Sequence, residues 1–447
     1  MNEHTHDNEQ AWPQLNAMKE QVEQLAIPPE IDEAIRQGIR AGRALRRRRM
    51  RTRMASYAAC LLLIVMMATI RFSPTVAAYV GDIPGLRSLV QFIHYDKGLR
   101  LALENDFMQP VGLSDEQDGI KWTVDGIVVD ESRVIVFYSF DNVDGQPSVF
   151  DIQSVKLANI PNASASFGTS YFNEDWERRQ GTIEFYIHDD TRIPERLDLE
   201  LKTSKVTELN TNDLTWTLEI PVDTNKFEGQ KTIYSINQTV TVEGQRITFG
   251  TMTVYPTRIG LEVEYDPTNT KKLFAFDDIR IEDESGETFG TINNGISASN
   301  VSDNRVILYF QSNYFRQPER LYLRASSIRA LDKNKLEVQV DLERNELLAR
   351  PDDKLTLNHV GNGLEDGKRV LDFGLKNDDP LDQHRTFSLF ANTYRDASGR
   401  SFDSNRSGSS FDRYQLYIED VEYLMPLILT VNDYPSRIRG DINVRVK

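Results

Sequence analysis

The chain has 447 residues, which as a prior is about three domains of roughly 150 residues each. Its 52 basic and 68 acidic side chains give a net charge of −16, and 39% of its residues are hydrophobic, a balance that excludes a disordered or collagen-like chain. One Cys excludes a disulfide scaffold and a cysteine-rich zinc site, and six scattered His leave little for histidine-based metal chemistry.

Residues 1–53 read as two short helices broken at Pro28-Pro29. Trp12, Leu15, Met18, Val22 and Leu25 recur at spacings of three and four, the signature of one helical face. After the prolines, Ile31, Ile35 and Ile39 stripe a second helix that opens on Pro and acidic residues. Two such helices are too short to bury their own apolar faces as a stable domain. Either they form a docking arm for a cytosolic partner, with Trp12, Leu15, Met18, Val22, Ile31, Ile35 and Ile39 facing it, or they are a tail with mild helicity.

Arg43, Arg46, Arg47, Arg48, Arg49, Arg51 and Arg53 then lead into Met54–Ile70, an apolar run closed by Arg71. Its 17 uncharged residues would span about 25 Å as a helix, the short end for a bilayer core of about 30 Å. Arg53 and Arg71 can snorkel outward. The excess of arginine before the span predicts that the N-terminus lies in the cytoplasm and the C-terminal region outside. A cleaved signal peptide is the rival reading, since Val76-Ala77-Ala78 offers small residues, but fifty residues of preceding chain argue against it. Residues 1–53 carry a net charge of +2, and residues 71–447 a net charge of −18. The outer part therefore repels nucleic acid, and the arginine cluster suits anionic lipid and topology rather than DNA.

Residues 72–117 read as a helical stalk. From about residue 118 the texture turns to alternation, with Trp122, Val124, Ile127 and Val129 on one strand and Val134, Val136 and Tyr138 on the next. Asp125-Gly126 inside the first strand predicts a bulge. Residues 182–201 align without gaps on 306–325, sharing Pro194-Glu195-Arg196-Leu197-x-Leu199 and Pro318-Glu319-Arg320-Leu321-x-Leu323. Upstream, Ile127, Val129, Arg133, Val134 and Val136 match Met252, Val254, Arg258, Ile259 and Leu261 at an offset of 125. A worn third copy starts near 354, with Arg369-Val370 in the place of Arg133-Val134 and residues 425–431 as the closing strand. Repeats of about 100–120 residues of short strands predict antiparallel β-sandwiches over 118–225, 226–345 and 346–447. Charged or Pro-containing linkers are expected near Asp223–Gly229 and Asn345–Lys354. In the Pro-Glu-Arg-Leu motif, Pro starts a strand, Leu-x-Leu faces a core and Glu-Arg is exposed.

The search for chemistry returns little. No HExxH, GxxxxGK or GxSxG motif occurs. Asp403 to Gly408 resembles half a calcium loop, but Tyr414 stands where a bidentate Glu is needed and Arg406 opposes the cation. Asp277-Asp278 and Glu282-Asp283-Glu284 read as a solvated turn. His94, His188, His359 and His384 read as surface or loop residues, and Cys60 as a packing residue within the span, with an acylation site as the alternative. Neither enzyme, cofactor nor metal is indicated.

The run from Ile27 through the arginines, one apolar span, the segment SPTVAAYVGDIPGLRSLV, DKGL and the strands of 119–139 resembles a family of Gram-positive membrane proteins. That family is catalogued as a domain of unknown function, and its members are often described as anti-sigma-factor-like. The resemblance covers about residues 28–140, and residues 226–345 are similar to the immunoglobulin-like domain of unknown function that commonly follows. The resemblance implies an inside arm that holds an extracytoplasmic-function sigma factor or another regulator, and an outside sensor region. The chain departs from the zinc-type anti-sigma domain in lacking His-x-x-x-Cys-x-x-Cys.

The expectation is thus a mainly β protein: tandem antiparallel immunoglobulin-like β-sandwiches behind one transmembrane helix and a short helical arm. Its function is expected to be regulatory, of the membrane-anchored envelope-sensing type. The alternative is an anchored surface protein whose sandwiches bind wall polymer, peptide or protein.

Overall fold

The computed structural model describes Asn16, residues 18–20, and residues 96–447 apart from 145–148, 170–177, 188–190, 207–210, 293–296, 364–366, 384 and 405. The chain divides into two units, Met1–Pro74 and Thr75–Lys447. In the first, Asn16 and residues 18–20 are helical, and Met18 is 68% exposed. The expected span at 54–71 lies outside the described residues, among which no helix is long and apolar enough to cross a membrane.

The second unit is mainly β and wholly antiparallel in its described pairings. It opens on helix α1 (Lys97–Glu104), whose N-cap Asp96 accepts a hydrogen bond from Leu99 N at 2.9 Å. Leu99, Leu101, Ala102 and Leu103 bury its inner face. The expected helical stalk to residue 117 is corrected here, because Gln109–Gln117 is a strand paired to Ile120–Asp130. Pro110 and Gly112 hide its strand character in sequence, and sheet pairing outweighs weak local propensity.

The first module comprises β1 (Gln109–Gln117), β2 (Ile120–Asp130), β3 (Arg133–Asn142), β4 (Val149–Leu157), β5 (Ser164–Thr169), β6 (Arg178–Tyr186), β7 (Arg196–Val206) and β8 (Thr211–Pro221). One sheet has the order β1-β2-β3-β6-β5 and the other β4-β7-β8. They enclose a shared core in which Trp122 of the first sheet meets Trp216 of the second, ring centroids 6.1 Å apart. The β2–β3 register shifts between Val124 and Gly126. This bulge keeps Ile127 on the core side with Trp122 and Val124, all three fully buried.

The second module contains β9 (Thr232–Val242), β10 (Gln245–Val254), β11 (Arg258–Tyr265), β12 (Lys271–Phe276), β13 (Arg280–Asp283), β14 (Thr288–Phe289), β15 (Ala298–Ser302), β16 (Arg305–Gln311) and β17 (Leu321–Asp332). Its outer sheet runs β9-β10-β11-β16-β15, the same order as β1-β2-β3-β6-β5. The internal repeat is therefore a repeat of topology. As expected, Leu197, Leu199, Leu321 and Leu323 of the matched strands are fully buried, while Glu195, Arg196, Glu319 and Arg320 are exposed.

The remaining strands are β18 (Glu337–Asp341), β19 (Glu346–Ala349), β20 (Leu355–Asn362), β21 (Lys368–Leu375), β22 (Phe390–Arg395), β23 (Ser401–Asp403), β24 (Arg406–Ser409), β25 (Arg413–Glu419), β26 (Leu427–Val431) and β27 (Arg437–Arg445). The third core lies between sheets β20-β21-β25-β24 and β19-β18-β26-β22-β23. The expected boundary at 345/346 does not follow the strand pairing. In the first module β8 follows β7 and pairs with it. After β17, by contrast, β18 crosses over to pair with β26, and β27 returns to pair with β17. The second and third modules thus exchange their closing strands. The linker expected at Asn345–Lys354 contains β19.

A buried ion network lies at this exchange. Asp277, expected on a solvated turn, is fully buried and accepts from Arg329 Nη1 at 3.2 Å, Arg385 Nη1 at 2.7 Å and Arg437 Nε at 2.8 Å. Arg437 also pairs with Asp382. Such a group tolerates burial only because several donors replace water.

Candidate functional site

The first and second modules meet turn to turn. In the β2–β3 turn, Asp130 Oδ1 accepts from Ser132 N at 2.9 Å, Ser132 Oγ at 2.6 Å and Arg133 N at 3.1 Å. Its Oδ2 reaches across the junction to accept from Thr257 N at 2.9 Å and Thr257 Oγ1 at 2.5 Å. Thr257 lies in the equivalent β10–β11 turn.

Two fully buried arginines at the repeated position close the junction reciprocally. Arg133 Nε donates to Thr257 Oγ1 at 2.7 Å and its Nη2 to Thr257 O at 2.8 Å. Arg258 Nε donates to Ser132 Oγ at 2.9 Å and its Nη2 to Ser132 O at 2.6 Å. Their electrostatics differ. Burial works against the Arg133 charge, but Asp96 at 2.8 Å and Glu184 at 3.3 Å outweigh it, so Arg133 holds its proton more tightly than usual. Arg258 has no carboxylate pair among the described residues. Burial, with the like charge of Arg133, lowers its pKa. The rings of Tyr309 and Tyr186 stand 3.9 and 5.1 Å from its guanidinium, and its Nη1 finds no acceptor among the described residues.

The start of α1 is built into the same junction. Asp96 caps the helix through Oδ1 and binds Arg133 through Oδ2. Gly98 lies so close to the second module that a Cβ there would stand 2.4 Å from Thr257 O and 2.6 Å from Ser312 N. Only glycine permits that approach.

Beside the junction opens a cleft of about 1280 Å³. One wall is the outer face of the β9-β10-β11-β16-β15 sheet, presenting Thr251, Thr253, Glu262, Ser299, Arg305 and Tyr309; the other includes Asn162, Ile187 and Arg192 of the first module. Arg258 and Ser132 line it where the arginine clasp ends. Ion pairs edge it: Lys231–Glu131 at 2.5 Å, Arg192–Glu228 at 2.8 Å and Arg305–Glu262 at 2.9 Å.

Among the described residues no group of three or more His, Cys, Asp or Glu is placed to hold a metal. Of the residues expected to face a partner, Met18 is described, helical and exposed. Trp12, Leu15, Val22, Ile31, Ile35, Ile39, the seven arginines from Arg43 to Arg53, Cys60, His94, His188 and His384 lie outside the described residues. His359 is exposed. The sequence reading missed the junction, although one signal pointed to it: an arginine recurs at the mouth of an otherwise apolar strand in both repeats.

Comparison with family models assigns both halves of this junction. Residues 46–142 match the domain of unknown function DUF4179, and residues 231–356 match the family of unknown function DUF5643. Both are families of unknown function. The DUF5643 match runs from β9 into β20 and so includes the crossing strand β18. No curated protein matches the chain. The crystal structure of a conserved domain protein from Bacillus anthracis is similar at 12% identity and a TM-score of 0.38, covering 54% of this chain and 84% of that one. A likeness of that size carries no argument about function.

Proposed function

We propose that the protein is a single-pass regulator of the envelope-sensing, anti-sigma-factor-like type. Its N-terminal arm lies in the cytoplasm, and immunoglobulin-like β-sandwiches form an external sensor. The arginine-flanked apolar run supports the anchor and its orientation. The observation that carries the sensing role is Asp96: at the start of α1, downstream of the apolar run, it is gripped by the junction that borders the cleft. A ligand that alters the packing of the two modules there alters the hold on α1. An anchored binding protein has no need for α1 to be held at the junction of two sensing modules.

The test is co-purification from membranes of the source organism. Full-length protein should recover a sigma factor or another cytosolic regulator, and a variant lacking residues 1–40 should lose it. Recovery of no regulator by either, with surface binding intact, would favour the anchored binding protein.

A further inference from the structure

We propose that the cleft between the first and second modules binds a small anionic sugar, through an acceptor oxygen at Arg258 and hydroxyl contacts along the sheet wall. The inference rests on the sensing reading and names the chemistry of its ligand.

The first observation is the unsatisfied guanidinium. Arg258 is 1% exposed, and its Nε and Nη2 are held by Ser132 while Nη1 has no acceptor among the described residues. A buried donor without a partner costs about 1–3 kcal/mol, and such groups in a native fold call for an explanation. Asp130 acts on Arg258 only through space, because both its oxygens are taken by Ser132, the Arg133 amide and Thr257. The rings of Tyr309 and Tyr186 lie against the guanidinium, and neither accepts a hydrogen bond from Nη1. Arg258 lines the cleft, and among the described residues it is the buried arginine of the junction that lacks a carboxylate.

The second observation is the wall. Thr251, Thr253 and Ser299 present hydroxyl groups along the sheet, suited to a ligand rich in hydroxyls. At the mouth, each of Lys231, Arg192 and Arg305 has its own carboxylate, so the lining carries four cations against three anions once Arg258 is included. At a screening length of about 8 Å the distant negative charge is weak inside the cleft but still opposes a long polyanion. A single carboxylate or phosphate on a sugar meets both conditions.

Calorimetric titration of the full-length protein in detergent tests this with glucuronate, a glucose phosphate ester, glucose and inorganic phosphate. Binding of glucuronate marks a carboxylate ligand and binding of the ester a phosphate ligand. In either case glucose, which lacks the charge-assisted contact, and free phosphate, which lacks the hydroxyl contacts, should bind at least about tenfold more weakly. Arg258→Gln should abolish binding. Because that change also breaks the Ser132 contacts, Thr253→Val and Arg305→Ala provide folded controls, each expected to weaken binding about threefold with an unchanged melting temperature. No heat with either acidic sugar, or equal binding of glucose, would overturn the proposal, as would indifference of both wall variants. Such a failure would leave the regulator co-purification unaffected, since that experiment involves no sugar.

Discussion

Arg133 and Arg258 each hold the residue that precedes the other: Arg133 binds the hydroxyl and carbonyl of Thr257, and Arg258 binds the hydroxyl and carbonyl of Ser132. The two arginines occupy equivalent places in two repeats, so the junction has a local two-fold character. The symmetry breaks at the third contact. Arg133 goes on to Asp96 and Glu184, whereas Arg258 ends beside the cleft.

Removing Arg133 should therefore be more damaging than its single side chain suggests. Arg133→Met leaves Asp96 and Glu184 buried without their cation and should destabilise the fold by about 3–5 kcal/mol. Urea unfolding of the full-length protein measures this. Thr257→Val removes one hydroxyl contact to Asp130 and one to Arg133, and should cost about 1–3 kcal/mol.

Gly98→Ala reverses the usual expectation. Within a helix the change should stabilise by up to about 1 kcal/mol. Here the added Cβ would meet backbone atoms of Thr257 and Ser312, which cannot swing aside. The variant should melt at a lower temperature than the wild type. An unchanged or higher melting temperature would show that α1 does not lie against the second module.

Deleting residues 437–447 should unfold the second module although its own repeat ends some hundred residues earlier. Ile438, Ile442 and Val444 of β27 are buried in that module's core, each worth about 1.5–3 kcal/mol. The deletion also removes Arg437 from Asp277 and Asp382. Limited proteolysis should then cut within β9–β17 while sparing the first module.

Asp125 gives a pH prediction. Burial holds its carboxyl up at about 6, and the hydrogen bond from Ser139 and the charge of Arg178 offset this only in part. The folded state therefore binds this proton more tightly than the unfolded chain. The stability it contributes is complete below the ordinary value of 3.8 and is lost as pH rises through about 6. Asp125→Asn should remove that loss, so that its stability relative to the wild type improves by up to about 3 kcal/mol between acid and mildly alkaline pH. Urea midpoints across that range measure it, and parallel curves for the two proteins would contradict it.

Much of the architecture was legible because it rests on local patterns. The period-two runs at Trp122–Val129, the bulge at Asp125-Gly126 and the buried Leu-x-Leu of the repeat follow directly from strand geometry. The strand exchange was not legible. β18 and β27 are both short alternating strands, and nothing in such a run states which neighbouring sheet it will join. β1 was missed because an exposed edge strand with Pro110 and Gly112 lacks alternation. The junction and the buried ion network at the strand exchange were hidden for a different reason: Asp130, Arg133, Arg258 and Asp277 are charged, and charge in a sequence signals solvent until a partner is seen.

The hold of the two-module junction on α1 is tested most directly by hydrogen exchange of the amides of residues 97–104 in the full-length protein. Thr257→Val, which removes hydroxyl contacts within the junction and none to the helix, should speed their exchange while leaving the amides of β21 and β25 in the third module unchanged. Exchange in α1 that stays as slow as in the wild type would contradict the account, because α1 would then be held independently of the modules proposed to sense through it.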